Sequence, residues 1–417
     1  MKSFDRIMNT EPSPSVHPLG EKRDACTGCA ACAASCPVSC ITMRPDHEGF
    51  LQPHIEMTKC TTCGFCTQTC PALLLNPSVL NETLISSPTV YAAWHLDPEI
   101  RRQSSSGGVF SALAENILDK GGVVAGAAFD EHLVVRHILI ESSKDLHKLR
   151  GSKYVQSDVP LTLYRQIRNH LKQGRSVLFS GTPCQVAGLR GFLRHTYTNL
   201  FCCDIICHGV PTPFLLEKYI QAKQKKGNEL KAVYFRDKAY GWKKFAMRLV
   251  WQQGERCAKA IDSYLLAFLR DYALRPCCYQ CAYTTISRQG DLTIADFWSV
   301  AQTYPDFDQD DKGTSLVLAN TKKGQAWLVD CQVTLFCGSA DLDTAISGNP
   351  TLIRSVRRPA ERETFLVDLK KFPFDVIIRK YRLYGPTRVQ LMFGFVKRII
   401  KGIGRRLFRL NDIRGRK

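Results

Sequence analysis

No run in this chain approaches the 18 consecutive apolar residues that a membrane-crossing helix needs. Met1 to Gly20 hold Pro12, Pro14 and Pro18 and no apolar h-region, so a secretory signal is not expected. No GxGxxG follows a strand pattern and no GxxxxGK(S/T) occurs, which argues against a standard dinucleotide fold or a P-loop. Acids are scarce: 38 Asp and Glu face 57 Lys and Arg, a net charge of +19. From Arg388 to Lys417 there are ten cations and a single acid, Asp412, so +9 sits in the last thirty residues. Those cations alternate with aliphatic residues and no recognised module surrounds them, so nucleic-acid binding is not expected. Global disorder is excluded, because 21 Phe, 14 Tyr and 5 Trp in 417 residues supply ample apolar area.

What is abundant is cysteine, 19 in all. Without export the thiols stay reduced, and cysteines are then read first as ligands. Cys26-x-x-Cys29-x-x-Cys32-x-x-x-Cys36-Pro37 recurs as Cys60-x-x-Cys63-x-x-Cys66-x-x-x-Cys70-Pro71. Three cysteines spaced by two residues wrap one iron–sulfur cube, and the fourth reaches the other cube. One 4Fe-4S cluster is thus assigned to Cys26, Cys29, Cys32 and Cys70, the other to Cys60, Cys63, Cys66 and Cys36. Gly28 and Gly64 lie inside the tight loops. A zinc ribbon also uses paired C-x-x-C, but not two runs of four that each end in Cys-Pro. The segment resembles the bacterial two-cluster ferredoxins. Cys40 is expected to be a small core residue, as are Cys202, Cys203, Cys257, Cys331 and Cys337. A ferredoxin module carries single electrons and has no substrate, so the rest of the chain must supply the chemistry.

The expected fold is a multidomain α+β or α/β chain. A leader (1–20) precedes the ferredoxin-like domain (21–75) and a Pro/Asn/Ser-rich linker (76–88). A mixed α/β domain with a largely parallel sheet follows, in two regions, 89–165 and 166–347. A basic amphipathic tail closes the chain (348–417). Helices are predicted over 107–120, 161–172, 183–195 and 214–226, and strands over 123–129, 133–140, 176–180, 200–206 and 231–235.

Several strings in this domain suit chemistry. Ser104, Ser105, Ser106, Gly107 and Gly108 precede a helix, where hydroxyls and bare N–H groups suit an anion, or serve only as an N-cap. Cys184 follows Gly-Thr-Pro at a helix start that favours a thiolate. Cys207 follows a neighbouring strand, and Cys278-x-x-Cys281 could close one site with them. These four are assigned to a third 4Fe-4S cluster, with a redox-active Cys184 alone or a zinc site as the alternatives.

The ordered strings SSSGGVFSAL, RGSKYVQS, LFSGTPCQVAGL, DIICHGVPTP, FRDK with a following GW, RPCCYQC and DLTIADFW make the chain similar to the beta subunits of the coenzyme F-420-reducing hydrogenases and dehydrogenases. The resemblance implies FAD beside a four-iron cluster, and hydride exchange with a small molecule. Two departures stand out: Ala295 and Ser299 replace usual glycines, and Cys277 replaces a usual Ser or Ala. Ser105, Ser106, Gly107, Gly108, Ser152, Lys153 and Thr182 are the expected cofactor contacts. Lys153, His208 and Asp296 are the expected catalytic residues; a solvated lysine, a hydrogen-bonded loop histidine and a helix cap are the plainer readings.

The function expected is that of a flavin- and iron–sulfur-dependent oxidoreductase, cytoplasmic, working with a redox partner protein or ferredoxin and a small-molecule hydride donor or acceptor. The alternative is a non-catalytic electron-transfer protein feeding a separate enzyme, in a setting such as polysaccharide biosynthesis. Val389, Met392, Phe393, Val396, Ile399, Ile400, Ile403 and Leu407 recur at helical spacing among cations. That pattern predicts peripheral contact with the inner face of a membrane, or a partner-docking helix.

Overall fold

The computed structural model describes residues 18–21, 23–73, 84–257 and 262–384. The membrane-binding segment predicted after Pro386, and nearly all of the predicted leader, lie outside those residues. In the N-terminal module the sequence repeat becomes a structural one. Helix α1 (Ala31–Ser35) follows the first cysteine loop and α2 (Phe65–Thr69) the second. Both are entered through a left-handed residue, Ala30 at φ 63° and Gly64 at φ 72°. Between them runs an antiparallel hairpin of β1 (Ile41–Pro45) and β2 (Leu51–Ile55), with Ile41 opposite Ile55. The side chains of Ala31, Ala33 and Ala34 are small enough for α1 to bury itself against the next domain.

That domain is built on one eight-stranded sheet. Its elements in chain order are β3 (Leu84–His95), α3 (Val109–Asp119), β4 (Val123–Phe129), β5 (Val135–Ile140), α4 (Leu146–Leu149), α5 (Leu161–Lys172), β6 (Val177–Gly181), α6 (Pro183–Leu193), β7 (Leu200–Ile205) and α7 (Pro213–Lys223). A separate three-stranded sheet then forms from β8 (Leu230–Asp237), β9 (Ala246–Trp251) and β10 (Gly254–Cys257). The large sheet is completed by β11 (Leu292–Asp296), β12 (Ser315–Thr321) and β13 (Leu335–Ala340), and helices α8 (Arg362–Lys371) and α9 (Phe374–Lys380) follow.

The strand order is β13-β3-β12-β11-β7-β6-β4-β5. Only the centre, β11-β7-β6-β4, is parallel. The four outer pairings are antiparallel, so the sheet is mixed rather than largely parallel. Strand–helix alternation from 123 to 223 sets β4, β6 and β7 parallel, because each crossover helix returns the chain to the same edge, and β11 joins β7 from further along the chain. The carboxyl ends at Gly181, Ile205 and Asp296 therefore share one edge, where ligands gather in such sheets.

Two expected boundaries shift. Residues 84–88 of the predicted linker belong to β3. The two regions meeting at 165/166 share one sheet, which draws β3–β5 from one side and β6, β7 and β11–β13 from the other. The segment predicted as tail from 348 is folded as far as 384. Phe365, Leu369, Phe374 and Ile377 pack with Leu215, Tyr219, Phe235 and Tyr264 in one core.

Two buried arginines tie the ferredoxin module to this domain. Arg275 donates to the Cys26 carbonyl (2.6 Å), the Leu51 carbonyl (2.9 Å) and Gln156 Oε1 (2.8 Å). Arg362, fully buried, forks onto Glu48 in the β1–β2 turn at 2.8 Å and caps the Leu274 carbonyl. The Thr212 hydroxyl adds a bond to the Glu48 carbonyl at 2.6 Å. Such multiply bonded cations fix orientation as well as distance.

Candidate redox site

Three cavities carry the cysteines. The first is lined by Cys26, Cys29, Cys32 and Cys70. The second is lined by Cys36, Cys60, Cys63 and Cys66, with Cys40. Each triplet is thus joined by the last cysteine of the other repeat, the crossed arrangement that the spacing predicts. The crossing follows from the chain path: the helix that carries each triplet's third cysteine, Cys32 or Cys66, ends at a cysteine in extended conformation, Cys36 at ψ 115° and Cys70 at ψ 114°.

The third cavity, about 620 Å³, opens at the carboxyl edge of the sheet. Cys184, Cys207, Cys278 and Cys281 line it together with Cys277. Each arrives on a different local device. Cys184 is the second residue of α6, whose start is fixed by Pro183 and a Thr182–Gln185 capping box. Cys207 leaves the end of β7. Cys278 and Cys281 belong to a single 3-10 turn, Pro276–Gln280, and its cap.

The sulfurs sit in settings made for thiolates. Gly28 N donates to Cys26 Sγ at 3.4 Å, and the Thr182 hydroxyl lies 3.1 Å from Cys184 Sγ. Backbone N–H groups favour the charged form at Cys29 (from Ala31), Cys70 (Ala72, Leu73), Cys207 (Gly209), Cys278 (Val210) and Cys281 (Tyr283, Thr284). Burial works against these donors. It pushes Cys70 up to about 12, and Cys184 and Cys207 well up, with neighbouring thiols adding to the shift. Burial and neighbouring thiols oppose the charged form at Cys184 and Cys207, and a bound polynuclear iron centre would offset both.

Two thiols stand beside the sets as donors. Cys40 Sγ lies 3.4 Å from Cys36 Sγ. Despite burial, Cys40 brings Cys36 down through its N–H and its S–H. A hydrogen bond from Cys277 likewise lowers Cys278. Of the cysteines expected in the core, Cys202, Cys203 and Cys331 are buried and Cys337 is half-buried, while the Cys257 side chain lies outside the description.

The expected flavin and catalytic residues all reach the carboxyl edge but divide into two groups. Thr182 and His208 line the large cavity. His208 Nε2 pairs with Asp271 Oδ1 at 2.6 Å, so the loop histidine is held by a carboxylate. Ser105, Ser106, Gly107, Gly108, Ser152, Lys153 and Asp296 form the second group, and most of their polar atoms have protein partners. Ser105 Oγ accepts from Ser152 N at 2.8 Å, Ser106 Oγ donates to the Thr314 carbonyl, and Ser315 Oγ accepts from Gly107 N. A Cβ at Gly107 would press on Ser315 N at 2.9 Å.

Lys153 is not the solvated residue of the plainer reading. Its ammonium gives all three donors to the carbonyls of Lys148, Leu149 and Arg150, closing the end of α4. Burial brings it down to about 7. Asp296 accepts from Arg236 at 2.6 and 3.0 Å and from Trp242 Nε1 at 2.5 Å. It is a paired, half-buried carboxylate, not a helix cap. Arg236 is the residue that sequence reasoning passed over. It lies inside the FRDK string on β8, buried, with its Nε unpartnered. A basic residue at an inward strand position was the available signal.

Comparison with known proteins agrees with this architecture. The family model for the C-terminal part of the coenzyme F-420 hydrogenase/dehydrogenase beta subunit matches residues 174–340. Its N-terminal counterpart matches 90–163, and a 4Fe-4S dicluster domain matches 25–73. One component of the F(420)H(2) dehydrogenase of Methanosarcina mazei is 23% identical over 300 residues, 67% of this chain and 78% of that protein. A chain of the F-420-reducing NiFe hydrogenase complex from Methanosarcina barkeri aligns at 18% identity and a TM-score of 0.45, over 65% of this chain and 92% of that one.

Proposed function

Because the chain belongs to the coenzyme F-420 hydrogenase/dehydrogenase beta-subunit family, with a 4Fe-4S dicluster domain at its N-terminus, we propose that it is an iron–sulfur flavoprotein oxidoreductase. In this reading the N-terminal clusters exchange single electrons with a redox partner protein or ferredoxin. A third 4Fe-4S cluster, held by Cys184, Cys207, Cys278 and Cys281, links them to FAD and to a small-molecule hydride donor or acceptor. The observation that carries it is the convergence of those four cysteines, from two strand ends and one turn, in one cavity.

Electron routing supports the order. Cys29 of the first set and Cys184 of the third are close enough to act on each other electrostatically. Cys29 also lies against α6, the helix that begins at Cys184: a Cβ on Gly188 would meet Cys29 Sγ at 2.9 Å. The second set is the outward one, with Cys63 exposed while Cys29 and Cys32 are buried. Electrons would enter at the second cluster, pass the first, and reach the third.

A cavity of about 620 Å³ lies within the ordinary range for a small-molecule site. It offers room beyond a cluster, and Gln280, Thr284, Ser355 and His208 supply polar contacts at its wall. FAD, when bound, supplies the exchange between one-electron and hydride chemistry. His208 and Thr182 would face it, with Asp271 holding the imidazole in place. The Ser105–Gly108 loop would approach its anionic part, and Ser152, Lys153 and Asp296 would brace that wall.

Anaerobically purified full-length protein tests this reading. About twelve iron atoms per chain and one FAD are expected, and Cys184→Ser should leave about eight iron. Eight in the wild type would remove the third cluster, and a preparation without flavin would remove the hydride step. Turnover with a deazaflavin or dye by the purified chain alone separates the enzyme from a pure electron-transfer protein.

A further inference from the structure

We propose that Tyr283 is a positioning residue: its phenol donates a hydrogen bond to the iron–sulfur centre of the large cavity and holds that centre's reduction potential up. The proposal rests on the reading of Cys184, Cys207, Cys278 and Cys281 as cluster ligands. It concerns a residue outside that set.

Three observations meet at this side chain. Tyr283 is only 7% exposed and lines the large cavity. Its hydroxyl is buried with no hydrogen-bond partner among the described residues. The groups acting electrostatically on it include thiols of both neighbouring sets, Cys184 and Cys281 on one side and Cys29 and Cys70 on the other. An unpaired buried hydroxyl costs on the order of 1–3 kcal/mol, so a native fold keeps one only where something absent from the chain accepts from it. A cluster on the four cysteines of that cavity would bring sulfur to Tyr283 as an acceptor.

Geometry also selects which centre. Tyr283 lines the large cavity and not the first one. Its backbone is already committed on the same side. Its N–H favours the Cys281 thiolate, and its carbonyl accepts from Arg288 Nη1 at 2.9 Å. The ring is thus fixed two residues from a proposed ligand, between two electron-carrying sites. Hydrogen bonds to cluster sulfur stabilise the reduced, more negative form. Loss of this donor would make the centre harder to reduce than the clusters that feed it.

The test is a redox titration of full-length wild type and Tyr283→Phe, purified without oxygen and followed by electron paramagnetic resonance. Phenylalanine keeps the ring and removes only the donor. At a fixed poise near the wild-type midpoint, the reduced fraction of the third signal should fall about tenfold in its reduced-to-oxidised ratio. That corresponds to about 59 mV for a one-electron couple. The two ferredoxin signals and the iron content should not change. Twelve iron atoms with an unshifted third signal would overturn the proposal alone. So would a shift confined to the ferredoxin clusters. Only eight iron atoms in the wild type would overturn the third cluster, and this role with it.

Discussion

Glu48→Gln tests how the ferredoxin module is held. Glu48 lies in the β1–β2 turn and is the carboxylate facing Arg362, whose side chain has 1% of its surface exposed. Stranding a buried cation by removing its partner costs about 3–5 kcal/mol. Two features reduce that here. The Gln carbonyl still accepts one N–H, and Glu363 remains 3.2 Å from Arg362 Nη1, although it is 55% exposed and well screened. A cost of about 2–3 kcal/mol is left. It falls on the docking of the hairpin rather than on the whole chain, because Arg275 still holds the Cys26 loop from the other side. At about 1.36 kcal/mol per decade, local opening of the hairpin becomes about 30- to 150-fold more frequent. Hydrogen–deuterium exchange of the amides between Ile41 and Ile55 reads this directly. Adding Arg362→Met removes the uncompensated charge, so the double variant should exchange more slowly than Glu48→Gln alone. Hairpin amides exchanging at the wild-type rate in Glu48→Gln would refute the docking role. Acceleration spread evenly over the large sheet would refute its local character.

Three further outcomes follow from the same geometry. Cys70→Ser should abolish the cluster at Cys26, Cys29 and Cys32 while the Cys60 cluster keeps its resonance signal; loss of the Cys60 signal alone would contradict the crossed sets. Gly188→Ala gains about 1 kcal/mol of helix propensity, but its Cβ would sit 2.8 Å from Cys29 Cβ. The strain of about 1–3 kcal/mol should win, so the variant should lose iron from the first cluster, and full iron with raised stability would show that the loop yields freely. Burial holds His137 at about 4, against about 6.5 in an unfolded chain. The unfolded state therefore binds more protons between these values, and stability should fall as pH drops through that window, by about 2 kcal/mol at pH 5. His137→Asn should remove that part of the slope, as read from urea midpoints at pH 7 and pH 5.

What could be read in the sequence, and what could not, divides along physical lines. The cysteine sets were legible because metal chemistry demands one residue type at fixed spacing, whatever surrounds it. Cys70 lining the first cavity and Cys36 the second needed only the count of residues between them. The parallel pairing of β4, β6 and β7 was legible because these strands are short, apolar and separated by amphipathic helices, whereas β11 was not predicted and the strand predicted over 231–235 lies in the separate three-stranded sheet. The antiparallel flank was not. β3 begins inside a Ser/Pro-rich stretch that reads as linker, and Pro88 lies within it. A proline is tolerated there because the β13 ladder starts only at Val90, and the β12 register shifts between Thr89 and Leu84. Long-range pairing decided that segment, and no local window contains it.

The same division governs the site. Lys153, His208 and Asp296 were chosen because lysine, histidine and aspartate are the residues that do chemistry. The fold spends all three donors of Lys153 on carbonyls, and most of the acceptor capacity of Asp296 on three N–H groups. A group whose hydrogen bonds are all made inside the protein orients its neighbours; it has no donor or acceptor left to offer a ligand. Among the buried atoms that do have capacity left are Arg236 Nε and the Tyr283 hydroxyl, and neither residue type announces itself by spacing. Unmet hydrogen-bonding capacity is a property of three-dimensional packing, so it becomes visible only once every partner has been placed. Of the two, Tyr283 lines the large cavity, where the proposed cluster would accept from its hydroxyl.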